Sequence, residues 1–295
     1  MSLEISIKSN INNVNGIDYN AQQHAARVIA GSGSVPNLTL LDKYVKLLKQ
    51  AGLWDSCVFF AHAANGVDKD GNEYVGKVYD LMSNADLAQG TQTAKPKYNS
   101  DGSLFHDGAD WTGSPTLANG NTIRDTRQKL TAIIWVKQPT TANGQCYFGR
   151  WVSALSPLVS AFAIFRSRSN KMEAYLSDGT VKRIYTSSFT IPNNQWIQLA
   201  ITFDGTVTDG VLGKFSIYSN GVLDTAPTKT TNLAISSVVD TDTQVSLGTL
   251  GGPNNGLAEY TMVNNTYLAL PQIYNSTFTP EQILWNYNNI RPEGV

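Results

Sequence analysis

The sequence predicts a mainly β protein, an antiparallel β-sandwich preceded by an N-terminal arm and one short amphipathic helix. Three observations lead there. From about residue 76 onward, short β-prone runs alternate with Gly, Asn and Asp turns. No helix-period segment separates those runs, which is the pattern of a sandwich and not of alternating strands and helices. The convincing helical period ahead of them is confined to residues 39–52. The chain accordingly divides into an arm or linker over residues 1–36, a helical extension over 37–75 and the sandwich over 76–295.

Residues 1–36 are rich in Asn, Gln, Ser and Gly, with isolated apolar points at Ile5, Ile7, Ile11, Val14 and Ile17. Such a segment cannot build its own core, so those five residues are the expected contacts of an arm ordered by docking onto a partner. In the next stretch Leu41, Tyr44, Val45, Leu48 and Ala51 recur at three- and four-residue spacing and share one face. Thr39 with Asp42 fits a capping-box start, and Gly52 supplies a left-handed stop.

Strands are expected at 130–137, 145–151, 161–166, 172–176, 181–186, 196–203, 213–219, 244–250 and 267–274. Asp178-Gly179 and Asn220-Gly221 supply the positive φ angles of tight hairpins, and Lys69-Asp-Gly-Asn-Glu73 reads as a polar hairpin tip. A last helix begins at Thr279, with Pro280 in the first helical position and Gln282 completing a capping box.

Two neighbouring segments narrow the fold. Trp196-Ile-Gln-Leu-Ala-Ile-Thr-Phe203-Asp204-Gly205 and Gly213-Lys-Phe-Ser-Ile-Tyr218-Ser-Asn220-Gly221-Val222 resemble the paired strands of the laminin-G-like, concanavalin A-like lectin jelly rolls. In the first of them Ile197, Leu199 and Ile201 alternate with Gln198, Ala200 and Thr202, so one face enters a core and the other is polar or small. Val78 to Asp86, Ser103 to Trp111, Gly248 to Gly252 and Leu270 to Ile283 resemble further parts of that family in the right order. The resemblance implies that Val78–Leu81 and Ala269–Tyr274 lie close together. The helix ending Ala51-Gly52-Leu53-Trp54-Asp55 in front of such a jelly roll is similar to bacteriophage virion proteins. That similarity implies a phage structural component, a head decoration, fibre, tail or baseplate protein, that docks through its N-terminal region onto other virion proteins and self-associates. The alternative is a carbohydrate-binding adhesin that recognises host surface glycans.

Composition bounds the chemistry. A chain of 295 residues with 41% hydrophobic content can bury a sizeable core. Charged residues are 15% and the formal net charge is −1, which argues against nucleic acid or anionic membrane as a partner. No run approaches the roughly 18 apolar residues of a membrane span, and Met1 to Ser9 lack the pattern of a secretory leader. Cys57 and Cys146 are expected as free buried thiols. His24, His62 and His106 have no metal-ligand spacing, and no cofactor is expected.

Glucanases of this fold class carry a Glu-x-Asp-x-x-Glu strand, because retaining hydrolysis needs two carboxyls about 5 Å apart. Glu173, Glu259 and Glu281 stand singly, so no catalytic residue and no enzyme activity are expected. Glycan binding needs aromatic faces near loops, and Trp111, Tyr147, Trp151 and Tyr260 are the candidates.

Overall fold

The computed structural model describes residues 16–71, 73–89, 94–107, 110, 112–115, 117, 121–139, 144–151, 160–249 and 265–295. Its strands hydrogen-bond antiparallel into one network that folds over on itself as two layers, the jelly-roll sandwich expected from the sequence. In the first layer Val211–Ser219, Trp196–Asp209, Lys129–Lys137 and Thr266–Tyr274 pair in that order, and Thr266–Tyr274 also receives Cys57–Phe60 and Leu104–His106. In the second layer Thr228–Thr231, Lys182–Thr186, Met172–Ser177, Phe162–Arg166 and Gln145–Arg150 pair in succession, then pass through Ser246–Leu247 to Thr112–Gly113.

The space between the layers is filled from both sides. Ile134, Val136, Leu199, Ile201, Phe203 and Leu268 of the first layer meet Phe148, Phe162, Ile164, Met172 and Leu176 of the second. Cys57 and Cys146 are free and buried. The two hairpins form where the turn residues place them: Asn220 and Gly221 have φ of 48° and 80°, and Gly179 has 91°.

The first layer is buried on its outer face as well. Helix α1 spans Tyr19–Ala30, α2 spans Leu38–Gln50 and α3 spans Pro280–Asn289. Leu40, Tyr44 and Leu48 of α2, with Phe278, Ile283 and Ile290 around α3, pack onto Phe60, Ile133, Trp135, Ala200, Ala269 and Tyr274. This covered face explains why Ala200 and Thr202, expected on the polar or small side, are buried. Gln198 is buried beside them and donates to Asn286 Oδ1 at 2.9 Å. The Thr279 capping box forms as the sequence indicates.

Three expectations are corrected. The α2 helix is capped by Asn37, whose side chain accepts from Leu40 N at 2.9 Å, and not by Thr39. Asp42 is instead consumed by the Asp18 amide and Lys46.

Val78 does lie near Ala269 and Leu270, lining one cavity with them, but the strand that pairs with Gln272–Tyr274 is Cys57–Phe60, inside the stretch assigned to the helical extension, while Asp80 makes a single bridge to Ala61. The Val67–Asp70 and Tyr74–Val78 hairpin likewise belongs to the sheet network before residue 76 is passed. Last, part of the arm is a docked helix. Ala21, His24, Ala25 and Val28 bury one face of α1, and Ala21 and Ala25 pack on Leu41 and Val45 of α2. The periodicity is there in the sequence, but alanine and histidine carry it, so hydrophobicity alone does not reveal it.

Polar anchors hold α1 to the sandwich. Arg27 pairs with Asp86 at 3.0 Å and donates to the Asp80 carbonyl, and Tyr79 Oη donates to Gly31 O at 2.6 Å. A methyl on Gly66 would stand 2.7 Å from Val28 Cγ2 and 3.0 Å from His24 Nε2. Gly66→Ala should therefore loosen α1 by about 1–3 kcal/mol. Amide exchange should accelerate across residues 19–30 while the strands of the first layer keep their protection.

Burial holds three histidines neutral, pushing His24 down to about 3 and His62 and His106 down to about 4. Each binds its proton less readily folded than unfolded, so its stabilising contribution is complete above pH 6.5 and is lost as pH falls toward 4. Asp80 and Asp110, raised to about 6 by burial, act in the opposite sense, adding stability as pH falls from 6 toward 4. The histidines are more numerous and more strongly shifted. Urea unfolding should therefore show lower stability at pH 5 than at pH 7, each histidine costing up to roughly 2 kcal/mol. A stability that rises on acidification would contradict their buried, neutral placement.

Candidate functional site: a band of rings and lysines

The ring residues expected to face a glycan are not presented to solvent where they are described. Tyr147 is 0% exposed in the interlayer core, and its hydroxyl donates to Gln138 Oε1. Trp151 is 4% exposed, packs with Cys146, Ala163 and Phe165, and meets Tyr175 edge-on at 5.4 Å. The physical reason is that Gln145–Arg150 is an interior strand paired on both sides, with every residue buried. Trp111 and Tyr260 lie outside the described residues, as do Ile5, Ile7, Ile11 and Val14. Ile17, expected to dock on a partner, is half-buried against the cluster formed by α1 and α2.

The carboxylates with suggestive positions serve the fold. Asp80 is buried and accepts from Phe60 N at 2.9 Å, from the amides of Met82 and Ser83, and from Ser83 Oγ. Those four donors hold together the turn against which Arg27 docks. Asp204 accepts from the amide and hydroxyl of Thr206 at 2.9 and 2.6 Å. Glu281 lies in the first turn of α3. Among the described residues no three His, Cys, Asp or Glu side chains gather as a metal site.

What the fold does assemble is a row across the first layer. Strand register places Tyr74 opposite Lys97, Lys97 opposite Phe105, Phe105 opposite Tyr267, Tyr267 opposite Lys137, and Lys137 opposite Trp196. Directly opposed residues of antiparallel strands project from the same face, so all six share one. It is the outer face, because the sequence neighbours Val75, Leu104, Leu268, Val136 and Ile197 all enter the interlayer core. All six side chains are partly exposed.

The row is internally ordered. Phe105 and Tyr267 have ring centroids 5.0 Å apart, and Trp196 stands edge-on to Tyr267 at 6.4 Å. Lys137 Nζ lies 5.3 Å from the centre of the Tyr267 ring, and Lys97 Nζ 5.3 Å from that of Tyr74. Lys97 is also paired with Glu73 at 3.2 Å, and that hydrogen bond raises its pKa. Lys137 has no ion pair among the described residues. Exposed Asn194, Gln195 and Asn265 sit within two positions of Trp196 or Tyr267 in sequence. Five interstrand steps at about 4.8 Å give a band about 24 Å long.

The sequence contains each of these residues as the outward member of an alternating pair, but nothing in it shows that six separate strands bring them into line.

A two-layer antiparallel sandwich with a partly exposed aromatic band is a lectin-type architecture. The chain belongs to the concanavalin A-like lectin/glucanases superfamily, whose family model matches residues 107–284. No curated protein sequence matches the chain. Among solved structures it is similar to the receptor-binding domain of botulinum neurotoxin C/D mosaic serotype, at 16% identity and TM-score 0.54, covering 80% of this chain and 51% of that one. It is similar to the ligand-binding domain of botulinum neurotoxin serotype D in complex with N-acetylneuraminic acid, at 15% identity and TM-score 0.55, covering 81% and 52%. It is also similar to Trypanosoma rangeli sialidase in complex with sialic acid, at 11% identity and TM-score 0.55, covering 85% and 38%. These are likenesses of fold, and the chain spans about half the length of the toxin domains.

The placement of Trp151 has a direct check. Trp151→Ala should cost about 3–5 kcal/mol of stability by opening a cavity behind Phe165 and Tyr175, as measured by chemical unfolding. A stability within about 0.5 kcal/mol of the parent would place that ring at the surface instead.

Proposed function

We propose that the chain is a carbohydrate-binding protein that does not hydrolyse its ligand. The observation that carries this reading is the partly exposed band of Tyr74, Phe105, Tyr267 and Trp196 with its two lysines, on a sandwich of the lectin/glucanase class. Aromatic faces bind sugar rings through their apolar C–H surfaces, and the flanking amides and ammonium groups supply directional partners. The neurotoxin and sialidase structures that share the fold carry sialic acid, which supports a glycan as the ligand class. The non-hydrolytic reading is supported by Glu173, Glu259 and Glu281 standing singly, without the Glu-x-Asp-x-x-Glu strand of the retaining glucanases. A glycan array probed with the full chain should return binding to at least one glycan, and incubation with that glycan should release no reducing ends. An array without any bound glycan, or measurable turnover, would overturn the reading.

A second reading, compatible with the first, is a structural role in a bacteriophage virion, with the sandwich displayed to host glycans. It is supported by the helix that closes on Ala51-Gly52-Leu53-Trp54-Asp55 ahead of the sandwich. Because α1 is spent on contacts within this chain, particle docking is assigned to residues 1–15, and the useful truncation stops short of Asp18, which caps α1. Removing residues 1–15 should leave stability unchanged and abolish incorporation into particles, read by mass spectrometry of purified virions. Normal incorporation of that truncation would remove the docking role.

A further inference from the structure

We propose that the band running from Tyr74 to Trp196 is a subsite for an extended acidic polysaccharide, laid perpendicular to the strands across the outer face of the first layer. The proposal rests on the carbohydrate-binding reading and adds to it the shape and charge of the ligand.

Shape comes from the geometry. A site for a single terminal sugar is a concave pocket with convergent polar groups, whereas these six side chains lie in one line about 24 Å long. The line is open along its length, since all six are partly exposed. Partly exposed aromatic side chains recur along it at Tyr74, Phe105, Tyr267 and Trp196, so successive sugars of one chain would each meet an aromatic residue.

Charge comes from the two lysines that interrupt the rings. Lys137 Nζ is held 5.3 Å over the Tyr267 ring, its backbone opposite Trp196 on the next strand, and no carboxylate among the described residues pairs with it. An ammonium fixed by ring contacts and lacking a carboxylate partner is complementary to a carboxylate on the ligand. Lys97 sits three strands further along, held over the Tyr74 ring at 5.3 Å but already paired with Glu73 at 3.2 Å, with Asp107 also acting on its charge. A polyanionic chain would displace the exposed Glu73 carboxylate from Lys97, whereas a neutral chain offers either lysine hydroxyl acceptors but no charge to pair with. The overall charge of the protein is −1, so attraction for a polyanion must come from this local row and not from the general field of the molecule.

The test uses the full chain with polygalacturonate, poly-N-acetylneuraminate, fully methyl-esterified polygalacturonate and dextran as probes, read by isothermal titration. One of the two acidic chains should bind, its hexamer at least ten-fold tighter than its dimer, and the affinity should fall several-fold between 0.05 and 0.5 M salt as screening shortens the reach of the lysines, on the order of the Debye lengths involved. Lys97→Gln with Lys137→Gln should weaken binding about ten-fold or more without moving the thermal midpoint. Lys182→Gln, on the second layer, should change neither. Equal binding of the esterified and acidic chains, or unchanged affinity in the double variant, would overturn the acidic-chain assignment and leave carbohydrate binding standing. Binding of none of the four probes, with a glycan found on the array, also overturns it. Absence of binding to any glycan overturns both.

Discussion

The structure depends on one layer of sheet being buried on both faces. Lys129–Lys137 lies at its centre, paired along its length with Trp196–Asp209 on one side and with Thr266–Tyr274 on the other. Its inward residues Ile134 and Val136 build the interlayer core, while its outward Ile133 and Trp135 build the second core under α2 and α3. Trp135 ties the layers of this arrangement together. Its indole N–H donates to Ile290 O at 2.9 Å, and its ring stacks on Tyr287 at 5.4 Å and 16°. A fully buried indole needs such a partner, and it finds one only because α3 ends where it does. The segments on either side of the sandwich are thereby joined: Tyr44 of α2 donates to Arg291 O at 2.8 Å, so α2 and the stretch that follows α3 meet over one sheet.

That constraint also sets where the proposed ligand band lies. The helices cover the outer face over Trp135 and Ala269, but two residues further along the same strands, at Lys137 and Tyr267, the side chains are partly exposed. The band is thus the uncovered continuation of a hydrophobic face, which is why its residues are aromatic and why they are amphipathic or flanked by polar groups. Of the rings expected as ligand contacts, Tyr147 and Trp151 are drawn instead into the cores, since they belong to or adjoin a strand with neighbours on both sides.

Much of the fold is legible in the sequence because its signals are local. The strand from Trp196 to Phe203, the Asn220-Gly221 turn, the Gly179 turn and the Thr279 cap each act within a few residues and each forms, although the outward face of that strand is buried under the helices. The capping of α2 shifts by two residues because Asn37 and Thr39 are both competent caps, and packing against Ala64, whose carbonyl accepts from Asn37 N at 2.9 Å, decides between them. Helix α1 is hidden because its buried face is built of Ala21, His24, Ala25 and Val28, residues that gain their hydrophobic value only against α2 and Gly66. The band is hidden for a deeper reason, since its six residues come from positions 74 to 267 and are joined only by register. A sequence states the parity of each residue on its own strand, but the pairing of strands is a property of the whole chain.

A glycan bound on the band must touch Trp196 and leave the buried rings alone. The chain has six tryptophans, whose indole N–H groups report individually in a two-dimensional nitrogen–proton spectrum. Adding a glycan identified on the array should shift the Trp196 indole signal while leaving those of Trp135 and Trp151 in place, because Trp196 is partly exposed in the band and the other two are buried. A spectrum in which Trp151 moves and Trp196 does not would contradict the assignment of the ligand to the outer face of the first layer.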